Sequence, residues 1–175
     1  MNHAFTRRNA CALITVAAPA VTLAVAARAA SADALAAMLK TEAAYLDAYN
    51  RHDAQAVVAC YHADGARWSP ATPVELRGDA ILADARALFG IYADFAVQDV
   101  KVDAIDDARL VKTFVFRGAW TGRFPPGPFA EKAPTGRSFT MPAVELLAFR
   151  DGRIASSRVY FDRLSLLTQI GALGA

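Results

Sequence analysis

Two carboxylates in the C-terminal part of the chain stand where chemistry, rather than solubility, explains an acid. Asp162 lies in Val159-Tyr160-Phe161-Asp162-Arg163-Leu164-Ser165-Leu166-Leu167, where an aromatic, strand-like run becomes an apolar, helix-like one. A carboxylate there either caps the free N–H groups of a last short helix or works as an acid–base group at a pocket mouth. The roles are compatible, because the helix dipole favours the charged form, a base or hydrogen-bond acceptor. Glu145 shares strand parity with Phe139, Met141, Leu147 and Phe149, an acid in an otherwise apolar row. Burial there favours the neutral acid, and a cation beside it restores the charge.

Arg150-Asp151-Gly152-Arg153 reads as a tight hairpin. A two-residue turn at Asp151-Gly152 puts Glu145 opposite Arg158, Ala143 opposite Tyr160 and Met141 opposite Asp162. That register gathers Glu145, Arg158, Tyr160 and Asp162 on one face, either as a structural Glu145–Arg158 ion pair or as the interior acids of a site. Flat apolar side chains accompany them: Tyr45 and Tyr49 are four apart on one helical face, Phe89 and Tyr92 three apart, and Trp68 and Trp120 add area. The candidate ligand contacts are Tyr49, Trp68, Phe89, Tyr92, Trp120, Met141, Arg158 and Tyr160, with ordinary core packing as the alternative for the aromatics. The histidines are His3, His52 and His62, and neither HxH nor HExxH spacing occurs, so no metal site is expected. Phosphate-binding glycine loops and nucleophile elbows are also missing, and no cofactor is expected.

The elements that must position these groups follow from periodicity. Leu35, Met38, Leu39, Tyr45, Leu46 and Tyr49 form the stripe of a helix over 33–51. Asp53 is placed to cap a second helix through Ala54 to Tyr61. Gly78 precedes a third helix from Asp79, with Leu82, Ala85, Leu88, Phe89 and Tyr92 on one face. After residue 93 the period becomes two. Phe95 to Ile105 alternates with a slip between Val97 and Val100 that predicts a bulge, and Leu110 to Trp120 sets Phe114, Phe116 and Trp120 on one side. Gly136 to Phe149 and Arg153 to Asp162 form the hairpin arms. Phe124-Pro125-Pro126-Gly127-Pro128-Phe129 cannot join a central strand and predicts a surface loop or lid. Helices followed by long antiparallel strands give an α+β domain: a curved sheet wrapped around about three N-terminal helices, with a short C-terminal helix and an enclosed cavity.

Residues 1–32 read as an export signal and residues 33–175 as the domain. Arg7-Arg8 precede an apolar stretch over Ala10 to Ala27, and Ala27-Arg28-Ala29 and Ala30-Ser31-Ala32 offer small-x-small cleavage patterns. Cleavage after Ala32 is preferred over Ala29. The Arg pair and the late Arg28 favour the twin-arginine route over Sec, and hence a periplasmic or secreted protein. An uncleaved anchor is the alternative, since 18 apolar residues almost span a bilayer. After cleavage no stable membrane insertion is expected. The chain has 19 basic and 17 acidic residues, and the signal holds three of the basic ones and none of the acidic. The remaining domain is close to neutral, which argues against a nucleic-acid partner. Cys60 alone remains after Cys11, so no intrachain disulfide forms in the domain.

Three stretches resemble the SnoaL-like group of the superfamily that shares its fold with nuclear transport factor 2 and ketosteroid isomerase. They are Tyr49-Asn50-Arg51-His52-Asp53 with Cys60-Tyr61-His62-Ala63-Asp64; Pro134-Thr135-Gly136-Arg137; and Phe149-Arg150-Asp151-Gly152-Arg153-Ile154, followed by Tyr160-Phe161-Asp162 and Leu167-Thr168-Gln169-Ile170-Gly171. The match covers nearly all of residues 35 to 173. The resemblance implies an NTF2-like cone. It sets Tyr45 at the tyrosine of the isomerases' oxyanion hole and Glu145 at its acid, a carboxyl that those enzymes keep protonated in an apolar site. Ser69, before Pro70, falls at the isomerases' base position, and Asp162 at the acid–base position of the polyketide cyclases. Their partner histidine on the preceding strand has no counterpart here.

The expected function is acid–base chemistry of isomerase, cyclase or hydratase type on a small hydrophobic carbonyl compound. Asp162, Glu145 and Tyr45 would be the catalytic groups. The alternatives are a non-catalytic module binding a hydrophobic small molecule and a homodimeric interaction domain that uses its exposed sheet face, as relatives often do.

Overall fold

The computed structural model of the chain describes residues 32–173, apart from 73 and 107. The export signal expected over 1–32 therefore lies outside the described residues except for its last position. Among the described residues no helix is long and apolar enough to cross a membrane.

Helix α1 spans Ala32–Asn50 and buries Met38, Glu42, Tyr45 and Tyr49, the three-to-four spacing that turns one stripe inward. His52, at φ 56°, reverses the chain, and Asp53 starts α2 (Ala54–Ala59) by accepting the Ala56 N–H at 2.9 Å. Helix α3 (Asp79–Ile91) follows Gly78, whose φ of 51° suits glycine. Helix α4 (Arg163–Gln169) is capped by Asp162, which accepts the Ser165 N–H at 3.0 Å.

Six strands form one sheet: β1 (Tyr61–Trp68), β2 (Leu76–Arg77), β3 (Ala96–Ile105), β4 (Arg109–Ala119), β5 (Ser138–Arg150) and β6 (Arg153–Phe161). Their spatial order is β2-β1-β6-β5-β4-β3, with every pair antiparallel except β1 and β6. The expected α+β cone is the observed fold. Two details depart from the periodicity reading. The second helix ends at Ala59, and Tyr61 opens a strand. The β1–β6 register shifts between Tyr61 and Ala66, and the strand's burial pattern does not alternate, so no period of two is legible there.

The bulge expected between Val97 and Val100 is present: β3 slips against β4 between Gln98 and Lys101, with Asp99 at φ 53°. Strand β5 alternates without a break, facing Phe139, Met141, Ala143, Glu145, Leu147 and Phe149 inward. Opposite it, β4 turns Leu110, Lys112, Phe114 and Phe116 the same way.

The hairpin corrects the expected register. Asp151 and Gly152 both have positive φ, the two-residue turn is made, and Arg150 pairs Arg153 and Phe149 pairs Ile154. The next partners are Ala148 and Ser156, which leaves Ala155 as an extra residue. From there on every pairing is displaced by one: Glu145 faces Val159, Val144 faces Tyr160 and Ala143 faces Phe161. A one-residue slip exchanges the faces of a strand, so Arg158 and Tyr160 point outward.

The proline-rich segment between β4 and β5 is a loop, as expected, and both its ends are tied to helices. The N–H groups of Thr121 and Gly122 donate to Ile91 O at 3.0 Å, and Thr135 Oγ1 donates to Ile170 O at 2.6 Å. Gly122 is required there, because a Cβ would fall 1.8 Å from Gly90 O.

Candidate functional site

The sheet curls around α1 and α3, and the space left between them is a cavity of about 590 Å³. Aromatic and aliphatic side chains make most of its wall, with Tyr92 and Phe95 from the turn that follows α3 and Phe114, Phe116, Phe139 and Phe161 from the three strands β4, β5 and β6. Several of these rings meet edge to face, Phe116 on Phe161 at 5.2 Å and Tyr92 on Phe139 at 4.9 Å between centroids. Leu166 and Leu167 of α4 close one side, and Phe124 to Phe129 of the loop frame another.

Polar groups gather in one part of this wall. Glu145, from β5, is 3 % exposed and uses both carboxylate oxygens. Its Oε1 accepts from Ser157 Oγ at 2.5 Å and from Tyr45 Oη at 3.3 Å, and its Oε2 pairs with Lys112 Nζ at 3.0 Å. Lys112 is its cross-strand partner in the β4–β5 register. The same ammonium donates to Glu42 Oε1 from α1 and lies 5.3 Å from the Tyr45 ring centroid. Glu42 Oε2 is buried without a hydrogen-bond partner.

Burial pulls the two carboxyls the same way, but their neighbours separate them. Burial would raise the Glu145 carboxyl, yet Lys112, Ser157 and Arg67 together hold it below the usual range. Burial also raises Glu42, and there Lys112 only partly offsets it while Glu145 adds to it. Glu42 is therefore the first of the pair to take a proton. Lys112 is raised: burial favours its neutral form, and the two carboxylates outweigh that.

Tyr45 Oη is the hub of a second network. It lies 2.9 Å from Tyr61 Oη, receives Arg67 Nη1 at 3.4 Å and donates to Tyr49 Oη at 3.5 Å as its alternative to Glu145. Arg67, from β1, pairs through Nε with Asp84 Oδ2 of α3 at 3.0 Å and lies over the Tyr49 ring at 5.8 Å. Burial first, then the Glu145 charge, pushes the Tyr45 hydroxyl well above its ordinary value, so it is a donor rather than an anion.

Of the residues expected to form the site, Glu145, Tyr45, Tyr49 and Tyr92 line the cavity together. Asp162 does not; Phe161 and Arg163 on either side do, and the Asp162 carboxylate caps α4. Arg158 and Tyr160 belong to the outer face, because Ala155 displaces the register. Arg158 there is 3.9 Å from Glu75, and Tyr160 packs on Trp68 at 5.4 Å. Trp120 and Met141 are buried core residues outside the cavity wall, and Phe89 stacks on His52 at 4.9 Å.

Glu145 does have a cation beside it, but that cation is Lys112 and not the expected Arg158. Lys112 carries a readable signal, since it is a charge in the inward row Leu110, Phe114, Phe116 of its own strand. Glu42 is also legible, on the same helical stripe as Met38, Tyr45 and Tyr49. Arg67, Asp84, Tyr61 and Ser157 have no such signal, because β1 lacks a regular period and their partners are remote in the chain. Among the described residues no group of three His, Cys, Asp or Glu side chains could hold a metal ion.

Comparison with known proteins follows the same outline. The family model described as SnoaL-like polyketide cyclase matches residues 39–170. A candidate polyketide cyclase from Xanthomonas campestris pathovar campestris is similar in structure, with 23 % identity and a TM-score of 0.66, over 78 % of this chain and 98 % of that one. A second candidate cyclase, from a Silicibacter species, has 22 % identity and a TM-score of 0.67, over 77 % of this chain and 95 % of that one. A protein of ketosteroid isomerase-like fold from Catenulispora acidiphila, solved with trimethylamine, has 20 % identity and a TM-score of 0.63, over 78 % and 97 %. No curated protein matches the chain by sequence.

Proposed function

The chain belongs to the SnoaL-like polyketide cyclase family, and from that premise we propose that its cavity takes a small hydrophobic carbonyl compound and performs acid–base chemistry of isomerase or cyclase type on it. One observation carries the reading. In a cavity walled mainly by aromatic rings, the polar side chains Tyr45, Tyr49, Arg67, Asp84, Lys112 and Glu145 all contribute to the lining and are joined by hydrogen bonds or ion pairs. A ligand with an apolar body and one oxygen-bearing end matches that division. Hydrogen-bond donors preorganised around such an oxygen stabilise the charge that develops when a neighbouring C–H is ionised.

A second reading, a binding module without turnover, is favoured by Glu145 itself. Both of its oxygens are engaged by donors, and a carboxylate held below its usual range is a weak base. Native mass spectrometry of the purified protein, followed by deuterium exchange at the α-carbon of ketones that bind, separates the two. Binding with exchange supports the first reading, binding alone the second, and neither result in a broad ketone panel overturns both.

The partner and location are proposed on separate grounds. Val144, Leu146 and Tyr160 are exposed on the outer sheet face, and a second copy of the chain covering them would remove that apolar surface from water. Export of the domain rests on the Arg7-Arg8 leader and its small-residue cleavage patterns.

A further inference from the structure

The polar part of the wall divides into groups whose hydrogen bonds are spent and groups whose bonds are open. Glu145 is spent without any proton from Tyr45: Ser157 engages one of its oxygens and Lys112 the other. Three other cavity-lining groups are not. Asp84 gives one oxygen, Oδ2, to Arg67, and its Oδ1 accepts from no described residue. Arg67 uses Nε on Asp84 and Nη1 on Tyr45, which leaves Nη2 without a partner among the described residues. Tyr49 accepts from Tyr45 and donates to no described residue, although it is only 6 % exposed. These groups are neighbours, because Arg67 is paired with Asp84 and its guanidinium lies over the Tyr49 ring. Tyr49 of α1, Arg67 of β1 and Asp84 of α3 thus line one cavity, and each keeps hydrogen-bonding capacity that no described residue uses.

We infer that Asp84 is the catalytic base of this site, with Tyr49 and Arg67 as the donors that hold the ligand's oxygen. The inference rests on the carbonyl-compound reading above and assigns its proton transfer. The matching substrate class is a ketone with an acidic hydrogen on the carbon next to the carbonyl. Asp84 Oδ1 takes that hydrogen as a proton, and the C–H electron pair becomes the C=C bond of an enolate. The carbonyl π pair moves to the oxygen, where Tyr49 Oη and Arg67 Nη2 donate to it. Protonated Asp84 returns the proton to carbon, and nothing is oxidised or reduced. Glu145 and Lys112 keep Tyr45 and the surrounding network in place without exchanging a proton with the ligand.

The test uses β-tetralone, a flat bicyclic ketone, with exchange of its α-hydrogens for deuterium followed by proton NMR. Wild-type, Asp84→Asn, Asp84→Glu and Glu145→Gln proteins are compared, with ketone binding measured in parallel by saturation-transfer NMR. Asp84→Asn is expected to bind the ketone and to lose exchange by about a hundredfold or more. Asp84→Glu keeps the charge facing Arg67 and so guards against misfolding; displacing the carboxylate by one methylene is expected to cost about tenfold or more. Exchange within twofold of wild type in both Asp84 variants, with loss in Glu145→Gln, overturns the assignment and leaves the carbonyl reading standing. If the wild type binds the ketone without exchange, or does not bind it, the assignment falls together with that reading. If neither Asp84 variant folds, Asp84 is a structural partner of Arg67 and the assignment also fails.

Discussion

Lys112 and Glu145 stand directly opposite each other on β4 and β5, Nζ to Oε2 at 3.0 Å, with both side chains turned into the cone. An acid and a base in two apolar rows satisfy one another where either alone would be costly. Glu42 reaches the same ammonium from α1, so one cation serves two buried carboxyls from two layers of the fold.

Removing that cation is expected to be expensive. Lys112→Met leaves Glu145 and Glu42 buried without their counter-charge, at a cost of about 3–5 kcal/mol measured by urea unfolding. Adding Glu145→Gln to the same chain should recover part of the loss, since one of the orphaned charges goes with it. Strictly additive losses would show that the two residues are not coupled.

Arg158→Ala provides the contrast that tests the register. Arg158 lies on the outer face, 3.9 Å from Glu75, and its loss should change stability by no more than about 0.5 kcal/mol. A loss comparable to that of Lys112→Met would mean that Arg158, not Lys112, supports Glu145.

Stability should respond to pH with opposite signs from the two carboxyls. Glu145 has a folded value below its ordinary 4.5, so its contribution is present above 4.5 and is lost as pH falls through the lower folded value. Glu42 is raised above 4.5, so its contribution is present below 4.5 and is lost as pH rises through the higher folded value. Thermal melts across this range should show the Glu42→Gln variant losing the decline on the alkaline side while keeping the acid one. An unchanged alkaline slope in that variant would rule out Glu42 as its source.

Asp162 should behave as a cap. Asp162→Ala removes the acceptor for Ser165 N–H and is expected to cost about 1 kcal/mol. Asp162→Asn, which can still cap, should keep both the melting temperature and any ketone exchange. Loss of exchange at constant stability in Asp162→Asn would instead restore Asp162 as an acid–base group.

Gly122→Ala should unseat the proline-rich loop. The new Cβ meets Gly90 O at 1.8 Å, so the loop must move away from α3, at a cost of about 1–3 kcal/mol. Because Phe124 to Phe129 line the cavity, affinity for β-tetralone in a saturation-transfer titration should fall with it. Unchanged affinity would make the loop irrelevant to the ligand.

Local patterns determined a large part of this protein. The helical stripe of α1, the caps at Asp53 and Asp162, the bulge at Asp99, the turn at Asp151-Gly152 and the inward parity of Glu145 each depend on residues within a few positions of one another. Backbone preference and the alternation of a strand act over that same distance, which is why they can be read from the chain. What faces Glu145 is a different kind of question. One extra residue, Ala155, decides whether Arg158 or Val159 stands across the hairpin, and alternation of faces then carries the change to every later position. Lys112, Glu42, Arg67 and Asp84 come to the cavity from separate elements, and no spacing along the chain encodes their distances. The sequence determined which residues of α1, β4 and β5 turn inward; only the tertiary structure decided the face of β6 beyond Ala155 and which inward residues meet, because both are set by register and by how the helices seat in the curved sheet.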